Sequence, residues 1–578
     1  MLTLTLTLTT ILFMAPQEPS LVSGSYRGPV DEAQIEMLSY GSSAPSPFGR
    51  TLSTPDSAWD RWEFWYENER DTLVRGAADF PATAVNEFGA YGSSAFNVKR
   101  DEFLLKSIPL LLEATLSDDA AVRESALVSL GRVAYPATTS FIVEALTDKV
   151  QSVRQAAYVA LGLMSTAETS EVLMDTFNNS LDYNARCFAA VGLGLSGRID
   201  AGNCLNNFFE QISKKSSWRR SNDLIVASLL AAKINTSVDY SKNLLAITTT
   251  MDNRKSSDAL QVAAINALAA TGDLKAIEVL VKNIQSRSEV VAEACIAALG
   301  RFGNKVATPG LIEMFERSNS PRIQGMVQLA LGQIADDKAA EFLLENRPRV
   351  ADELYVRTSW LIACGIAQLP EAYTQVADTA MFGSDFNKHD DADASRNNEY
   401  ELRGAAALSL GLFAKPAAYV TLRKCLQETN TSQELRSYIA TALGMIGTDK
   451  AAGVLLENAD HFNDSVTSRR GFATALGMCT NEKANAQLAK MLLDDDDATV
   501  RWVSAHAMAG ARDQQSLEQL VSAISEDIRQ HKTSDRIAHL VLGLGYLGDS
   551  HRGATLESFA ANVDHRQQNE MLTCLKSY

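Results

Sequence analysis

An acidic segment at residues 381–400, "MFGSDFNKHDDADASRNNEY", holds the side chains best suited to bind a metal ion. Calcium is a hard cation that takes oxygen ligands, and the candidate ligands are Asp385, Asp390, Asp391 and Asp393. The order of an EF-hand is missing, because no glycine stands at the sixth loop position. His389 is the only imidazole nearby, which gives a transition metal little support. The pattern favours a solvated polar loop, with calcium as the weaker alternative.

The other residues that could do chemistry form no catalytic group. The acidic run Asp494–Asp497 lies where a helix should begin, so we interpret it as a helix cap. The seven histidines show no zinc-binding helix motif, and we find no nucleophile elbow or phosphate-binding glycine loop. The seven cysteines lack paired spacing and are odd in number, which favours core positions. The sequence therefore predicts neither a catalytic site nor a cofactor.

The segment "WDRWEFWYENERD", residues 59–71, contains three of the six tryptophans. Its large aromatic residues recur at i, i+3, i+6 and i+7, which is one side of a helix: Trp59, Trp62, Trp65 and Tyr66. We predict that this helix caps the exposed end of a repeat array that follows it. A platform that binds carbohydrate or peptide is the alternative.

Length and charge narrow the class of protein. A chain of 578 residues exceeds one ordinary core. The formal charge of −17 argues against nucleic acid as the partner, because it repels phosphate at long range. Residues 1–15 are uncharged and mostly apolar, which indicates a possible signal peptide and export to the periplasm or cell envelope, with a cytoplasmic location as the alternative. Residues 16–57 are rich in Pro, Ser and Gly and indicate a linker or arm.

A repeat begins near residue 101 and recurs in eleven clear copies, such as "AVRESALVSLG" at 121 and "LRSYIATALG" at 435. An arginine, or its substitute, precedes a closing glycine by eight positions, and successive glycines lie about 31–33 residues apart. Relative to that arginine at position zero, apolar or small residues stand at −1, +3, +6 and +7, which is one stripe of a helix. Small residues at +3 and +6 allow close helix packing, and the glycine is predicted to end or bend the last turn. A second amphipathic run completes each unit, so we predict an all-α solenoid of stacked antiparallel helix pairs.

The signature D-x-x-V-R-x-x-A-x-x-A-L-G resembles HEAT-type repeats, most of all the short bacterial form that also occurs in phycobilin lyases. Val122-Arg123, Val153-Arg154, Val356-Arg357 and Val500-Arg501 carry it. The resemblance implies that the repeat arginines link neighbouring units. Di-iron hydroxylases of this fold use His-Glu pairs, and this sequence has none. The aromatic segment before the array also resembles the N-terminal segments of exported bacterial HEAT-repeat proteins.

These inferences predict a domain layout. Residues 1–15 form a possible signal peptide, 16–57 a linker, 58–100 a capping region, and 101–578 the solenoid with an inserted loop near 381–400.

In such a solenoid the second helix of each pair lines the concave surface, with positions +1 and +5 facing outward. The face is small, neutral and partly apolar, which suits a protein or peptide ligand better than a phosphate backbone. The predicted contact residues are Gln155, Glu293, Thr358, Arg470, Trp502 and His506. We expect a non-enzymatic scaffold or adaptor that binds a partner protein. A transferase or chaperone that resembles the bilin lyases, and cradles a ligand and its carrier protein, is the alternative.

Overall fold

The structure of the protein is a computed structural model. It describes residues 100–214, 223–250, 258–286, 288–349, 352–383, 392–428, 432–479, 481–508, 514–530 and 532–549. Within these ranges the chain is helical and contains no β-strand, as the repeat predicts. None of the described helices is both long enough and apolar enough to cross a membrane.

Twenty-six α-helices in the described ranges form thirteen consecutive pairs. The first helices of the pairs are α1 (Arg100–Ala114), α3 (Thr139–Glu144), α5 (Ala167–Asn179), α7 (Ile199–Ser213), α9 (Ser241–Thr250), α11 (Leu274–Asn283), α13 (Thr308–Arg317), α15 (Asp337–Glu345), α17 (Tyr373–Phe382), α19 (Pro416–Leu426), α21 (Asp449–Glu457), α23 (Glu482–Asp494) and α25 (Gln514–Arg529). The second helices are α2 (Ala120–Val133), α4 (Gln151–Met164), α6 (Tyr183–Ser196), α8 (Asp223–Ile234), α10 (Asp258–Ala270), α12 (Glu289–Phe302), α14 (Pro321–Ile334), α16 (Leu354–Ile366), α18 (Ala392–Phe413), α20 (Gln433–Ile446), α22 (Val466–Met478), α24 (Ala498–Ala507) and α26 (Ser534–Leu547). Short 3-10 turns adjoin some of the first helices, as at Pro136–Thr138.

The second helices form an inner layer. Each packs along its length on the second helices of the preceding and following pairs, and the first helices cover their outer side. The inner helices are therefore buried nearly all round, whereas each outer helix keeps an exposed face. Acidic and hydroxyl side chains cap several of the inner helices, as predicted, although α26 begins without such a cap. Asp119 accepts from the amide of Ala121, Ser432 from that of Leu435, and Asp497 from those of Thr499 and Val500.

The repeat glycine has a different role from the one predicted. Gly131 lies inside α2, and the left-handed residue that ends the helix is Ala134, three positions later. A Cβ atom on Gly131 would lie 2.7 Å from the Cα of Ala160 in α4. The glycine is thus required by the close approach of the next inner helix, whose small residue at +6 receives it. The same contact joins Gly332 to Ala363 and Gly444 to Ala475.

The repeat arginines link neighbouring pairs. Arg123 of α2 donates to Asp148 in the next pair over 2.9 and 3.1 Å, and Arg469 of α22 donates to Asp495 over 2.7 and 3.2 Å. Burial raises the pKa of the Asp148 carboxyl, but the hydrogen bonds from Arg123 and the Val150 amide outweigh it, so the pKa lies below its usual value. The carboxylate therefore stays charged at neutral pH and fixes the spacing between pairs.

The thirteen pairs close into a ring. The last inner helix, α26, packs on the first, α2, and the last outer helix, α25, packs on the first outer helix, α1. A Cβ atom on Gly545 would lie 2.7 Å from the Cα of Ser129, which repeats the glycine contact between successive units. We call the contact of α25 and α26 with α1 and α2 the seam. Within the described residues the array consequently has no uncovered end.

Candidate functional site

The interior of the ring is the candidate site, because it is the concave surface that closure creates. In ten of the thirteen inner helices a glycine at +8 meets the small residue at +6 of the following inner helix, as Gly162 of α4 meets Gly192, and Ala160 of α4 receives Gly131 in the same way. The leucine at +7 points to the outer layer. By the 100° spacing of helical residues, position +5 is left to face the ring axis.

Position +5 is aliphatic in eight of the thirteen inner helices. We call these side chains the inner belt: Val128, Val159, Val191, Leu230, Leu329, Ile362, Leu408 and Leu542. All eight are buried, with seven of them no more than 1% exposed. The remaining five positions hold Asn266, Ala297, Thr441, Thr474 and His506. This face combines apolar side chains with a few hydrogen-bonding groups, and its role as a surface for protein or peptide stays a prediction.

The residues predicted to contact a partner lie on inner helices, and five of the six are buried: Gln155, Glu293, Thr358, Arg470 and Trp502. His506 is half-buried.

Several of these side chains join structural elements. Glu293 of α12 accepts two hydrogen bonds from Arg322 of α14, at 2.5 and 3.0 Å. Arg470 donates to the Thr499 hydroxyl over 2.9 Å, and Thr358 donates to the carbonyl of Leu354 in its own helix over 2.9 Å. Glu293 and Arg470 thus help to join neighbouring pairs of the ring, and the contact of all six residues with a partner stays a prediction.

Aromatic and charged side chains meet on the inner side of the seam. The rings of Trp502 and His506 lie 3.8 Å apart, and those of His506 and Tyr546 lie 4.5 Å apart. The Arg132 guanidinium lies 3.8 Å above the Tyr546 ring, and it donates to the Tyr546 hydroxyl at 2.8 Å and to Asp549 at 2.9 Å. We call these five residues the seam cluster.

Sequence reasoning identified Trp502 and His506 but missed the other three members of the seam cluster, because Arg132 and Tyr546 meet only when the ring closes. A signal was available in "GLGYLG" at 543, whose Gly545 continues the repeat glycines and needs a small residue to receive it.

Burial shifts the pKa of several titratable groups in the described helices. Burial lowers the pKa of His539 to about 4, with the charges of Arg501 and His506 as further causes. Burial raises the pKa of Cys187 to about 12 and that of Cys425 to about 11, so both are protonated thiols at neutral pH. Among the described residues, no group of three or more His, Cys, Asp and Glu could hold a metal ion.

The acidic run at 494–497 is structural, as predicted. Asp497 caps α24, and Asp495 accepts from Arg469 of the preceding inner helix.

Other sequence predictions fall on residues outside the described ranges. The proposed cap residues Trp59, Trp62, Trp65 and Tyr66 are among them, as are the calcium candidates Asp385, Asp390 and Asp391. Asp393 belongs to α18, which begins at Ala392 and so occupies part of the segment predicted as an inserted loop. The aromatic segment was predicted to cover an exposed first pair, but in the closed ring α25 and α26 already cover that pair.

Comparison with known protein families identifies the type of repeat. A family model described as HEAT repeats matches residues 108–204, 241–332, 284–363 and 393–470. No curated protein matches the chain.

Solved structures that match this chain include human deoxyhypusine hydroxylase in complex with glycerol, at 20% identity and a TM-score of 0.22, covering 55% of this chain and 98% of that one. They also include the complex of CpcE and CpcF of phycocyanin lyase from Nostoc, at 17% identity and a TM-score of 0.28, covering 45% of this chain and 97% of that one. An engineered protein is 16% identical with a TM-score of 0.22, covering 76% of this chain and 98% of that one. At these values the likenesses carry no inference on activity. Since the matched segments together span more than half of the sequence, the chain belongs to the HEAT-repeat family.

Proposed function

We propose that this protein is a non-enzymatic scaffold that binds a segment of a partner protein on the inner face of its ring. The inner belt is the observation that carries this proposal. Its eight aliphatic side chains form two apolar runs on one circumference, of five and of three neighbouring helices, and apolar burial is the main driving force of most protein association.

The seam cluster supports the same proposal. Tryptophan, tyrosine and arginine are the residues that most often dominate binding energy at protein interfaces. Trp502, Tyr546 and Arg132 come together at one point of the inner face. A peptide side chain that replaced their present contacts would gain a large apolar and cation–π surface.

Net charge and chemistry favour a protein ligand over other classes. The charge of −17 opposes association with nucleic acid. The charged side chains of the inner face are paired in part with each other, as Glu293 is with Arg322. A surface of this kind would recognise a partner protein by its shape and its apolar side chains.

Affinity capture from an extract of the source organism tests the proposal, with the tagged full chain as bait. We expect one protein to be retained by the wild type and lost on Thr474→Arg, which places a charge at position +5. The matched control is Leu105→Arg on outer helix α1, where the side chain is 76% exposed, and it should retain the partner. A partner lost from both variants, or from neither, would contradict binding on the inner face.

The alternative is a transferase or chaperone that cradles a ligand and its carrier protein. The absorbance spectrum of the freshly purified chain discriminates between the two. A coloured ligand that co-purifies with the wild type and is absent from Thr474→Arg would favour this alternative over the scaffold.

A further inference from the structure

The burial of the inner belt requires a cover. In the described part of the chain, the helices that pack extensively on an inner helix are its two inner neighbours and the outer helices. These contacts surround three sides and leave position +5 directed at the ring axis. Yet Val128, Val159 and Val191 are fully buried, and Ile362 and Leu408 are only 1% exposed. Aliphatic side chains that faced water across a ring would remain accessible.

The chain enters the described structure beside the seam. Arg100, the first residue of α1, donates to the carbonyl of Gly548 at 3.0 Å and also to that of Val133. These carbonyls lie at the ends of α26 and α2, close to Tyr546 and Arg132 of the seam cluster. The 99 residues that precede Arg100 are therefore tethered at the ring itself.

The tether is long enough to reach any point of the inner face. The 33 residues between Tyr66 and Arg100 can span up to about 110 Å when extended. The effective concentration of a segment attached in this way is high, on the order of millimolar for flexible linkers. A weak affinity would therefore suffice for occupancy.

The segment 59–71 has the apolar face that fits such a site. Its sequence predicts a helix with Trp59, Trp62, Trp65 and Tyr66 on one side. The end of the array, which this face was predicted to cover, is already covered by α25 and α26. Three tryptophans left in water would form a large exposed apolar patch.

We propose that the segment 59–71 is an internal ligand of the ring, with its aromatic face against the inner belt and the seam cluster. The inference extends the proposed function, since a partner protein would have to displace this segment. It also stands without a partner, because the cover belongs to the chain itself.

Site-specific photocrosslinking in the full chain tests the inference. Trp502 is replaced by p-benzoylphenylalanine, an aromatic residue of similar size, and the matched control carries the same residue at Phe141 on outer helix α3. After irradiation of the purified protein, the crosslinked peptides are identified by mass spectrometry. We expect residue 502 to crosslink to a peptide within 59–71 and residue 141 to give no such product. In a Trp62→Ala and Trp65→Ala double variant, the yield from residue 502 should fall at least five-fold.

Other results would overturn the inference. Crosslinks from residue 502 to the neighbouring inner helices alone, or to a different part of the chain, would show that 59–71 is not the ligand. A crosslink to another protein would refute the internal ligand while supporting the scaffold. Circular dichroism of each variant reports whether the ring has folded. If the double variant loses helicity, a second experiment takes its place: hydrogen exchange of α24 is measured in the wild-type protein with and without an excess of a synthetic 56–72 peptide. Increased protection of α24 by the peptide would contradict an interior that the segment 59–71 already fills.

Discussion

The seam and the interface between α16 and α18 contain the same glycine–serine contact, but the helices that it joins are far apart in sequence at the seam and close in sequence at the other interface. In both, a glycine at +8 lies against a serine at +6: Gly545 against Ser129, and Gly365 against Ser409. In both, the serine hydroxyl donates to the carbonyl at +4 of the neighbouring helix, from Ser129 to Val541 at 2.9 Å and from Ser409 to Leu361 at 2.6 Å. The chain connects α16 to α18 through α17 alone, whereas α2 and α26 are connected only through all the pairs between them.

The seam carries additional polar contacts that take the place of connectivity. Arg132 pairs with Asp549, Gln514 donates to Glu102 at 2.9 Å, and Lys106 lies 3.4 Å from Glu518. At an internal interface the short connection keeps the two inner helices close together. At the seam the two helices are far apart in sequence, so their contact must offset the entropy lost when a long loop closes. The difference indicates that the ring opens first at the seam.

The largest expected effect comes from Arg132→Ala. The Arg132 side chain is 2% exposed and that of Asp549 is 11% exposed, so the substitution breaks a largely buried ion pair. Breaking such a pair costs about 3–5 kcal/mol. We expect a lower midpoint of urea unfolding and a larger radius of gyration by small-angle scattering. Arg403→Ala, which removes an internal pair with Glu428, should lower stability without opening the ring. Equal expansion in both variants would remove the distinction between the seam and the internal interfaces.

Acid should weaken the seam helix through His539 of α26. Its pKa in the folded protein is about 4, below the usual value of 6.5, so the unfolded chain binds the extra proton between these pH values. The stability associated with neutral His539 is complete above pH 6.5 and is lost as the pH falls to 4, by about 3 kcal/mol. The equivalent residue of α16 is Ser359, which does not titrate.

Urea unfolding of the wild type and of His539→Leu between pH 7 and pH 4 measures this effect. The variant should lose less stability over that range. Parallel pH profiles for the two proteins would show that His539 is not the titrating group.

A methyl group on the seam glycine should have an intermediate effect. The Cβ atom of Gly545→Ala would lie 2.7 Å from the Ser129 Cα, and that of Gly365→Ala would lie 2.9 Å from the Ser409 Cα. Overpacking of this kind costs about 1–3 kcal/mol, and calorimetry should detect it in both variants. Gly453→Ala in outer helix α21 is the control, because a Cβ there meets nothing within 4 Å. Its stability should stay unchanged or rise, by up to about 1 kcal/mol, through higher helix propensity. A destabilised Gly453→Ala would mean that close approach is not the cause.

The smallest expected effect comes from replacing the serine at each of the two interfaces. Ser129→Ala and Ser409→Ala each remove one hydrogen bond, worth about 1 kcal/mol. We expect similar losses in chemical denaturation, but only Ser129→Ala should speed hydrogen exchange along the inner helix it contacts, because that interface can separate. Faster exchange at both helices would mean that the seam is no weaker than its internal counterpart.

Much of this fold could be predicted from local pattern. The spacing of Arg123, Ala126 and Gly131, or of the residues that replace them, follows from helix geometry and recurs in the clear copies, so helix pairs and their stacking could be predicted from it. The capping role of Asp497 also followed, since a cap involves only the residues next to it. The role of Gly131 was misjudged, because its constraint comes from Ala160 in another helix and the end of its own helix lies at Ala134.

The amino-acid sequence by itself determined the all-α repeat, the antiparallel pairs and the apolar character of position +5, since each depends on contacts within about one repeat. Only the tertiary structure decided that the array closes, that Arg132 and Asp549 meet across 417 positions, and that the inner face is buried. Closure depends on the small angle between successive pairs summed over thirteen units. The sequence pattern predicts how one pair packs on the next. A small difference in the angle between successive pairs, summed around the array, decides between a closed ring and an open spiral.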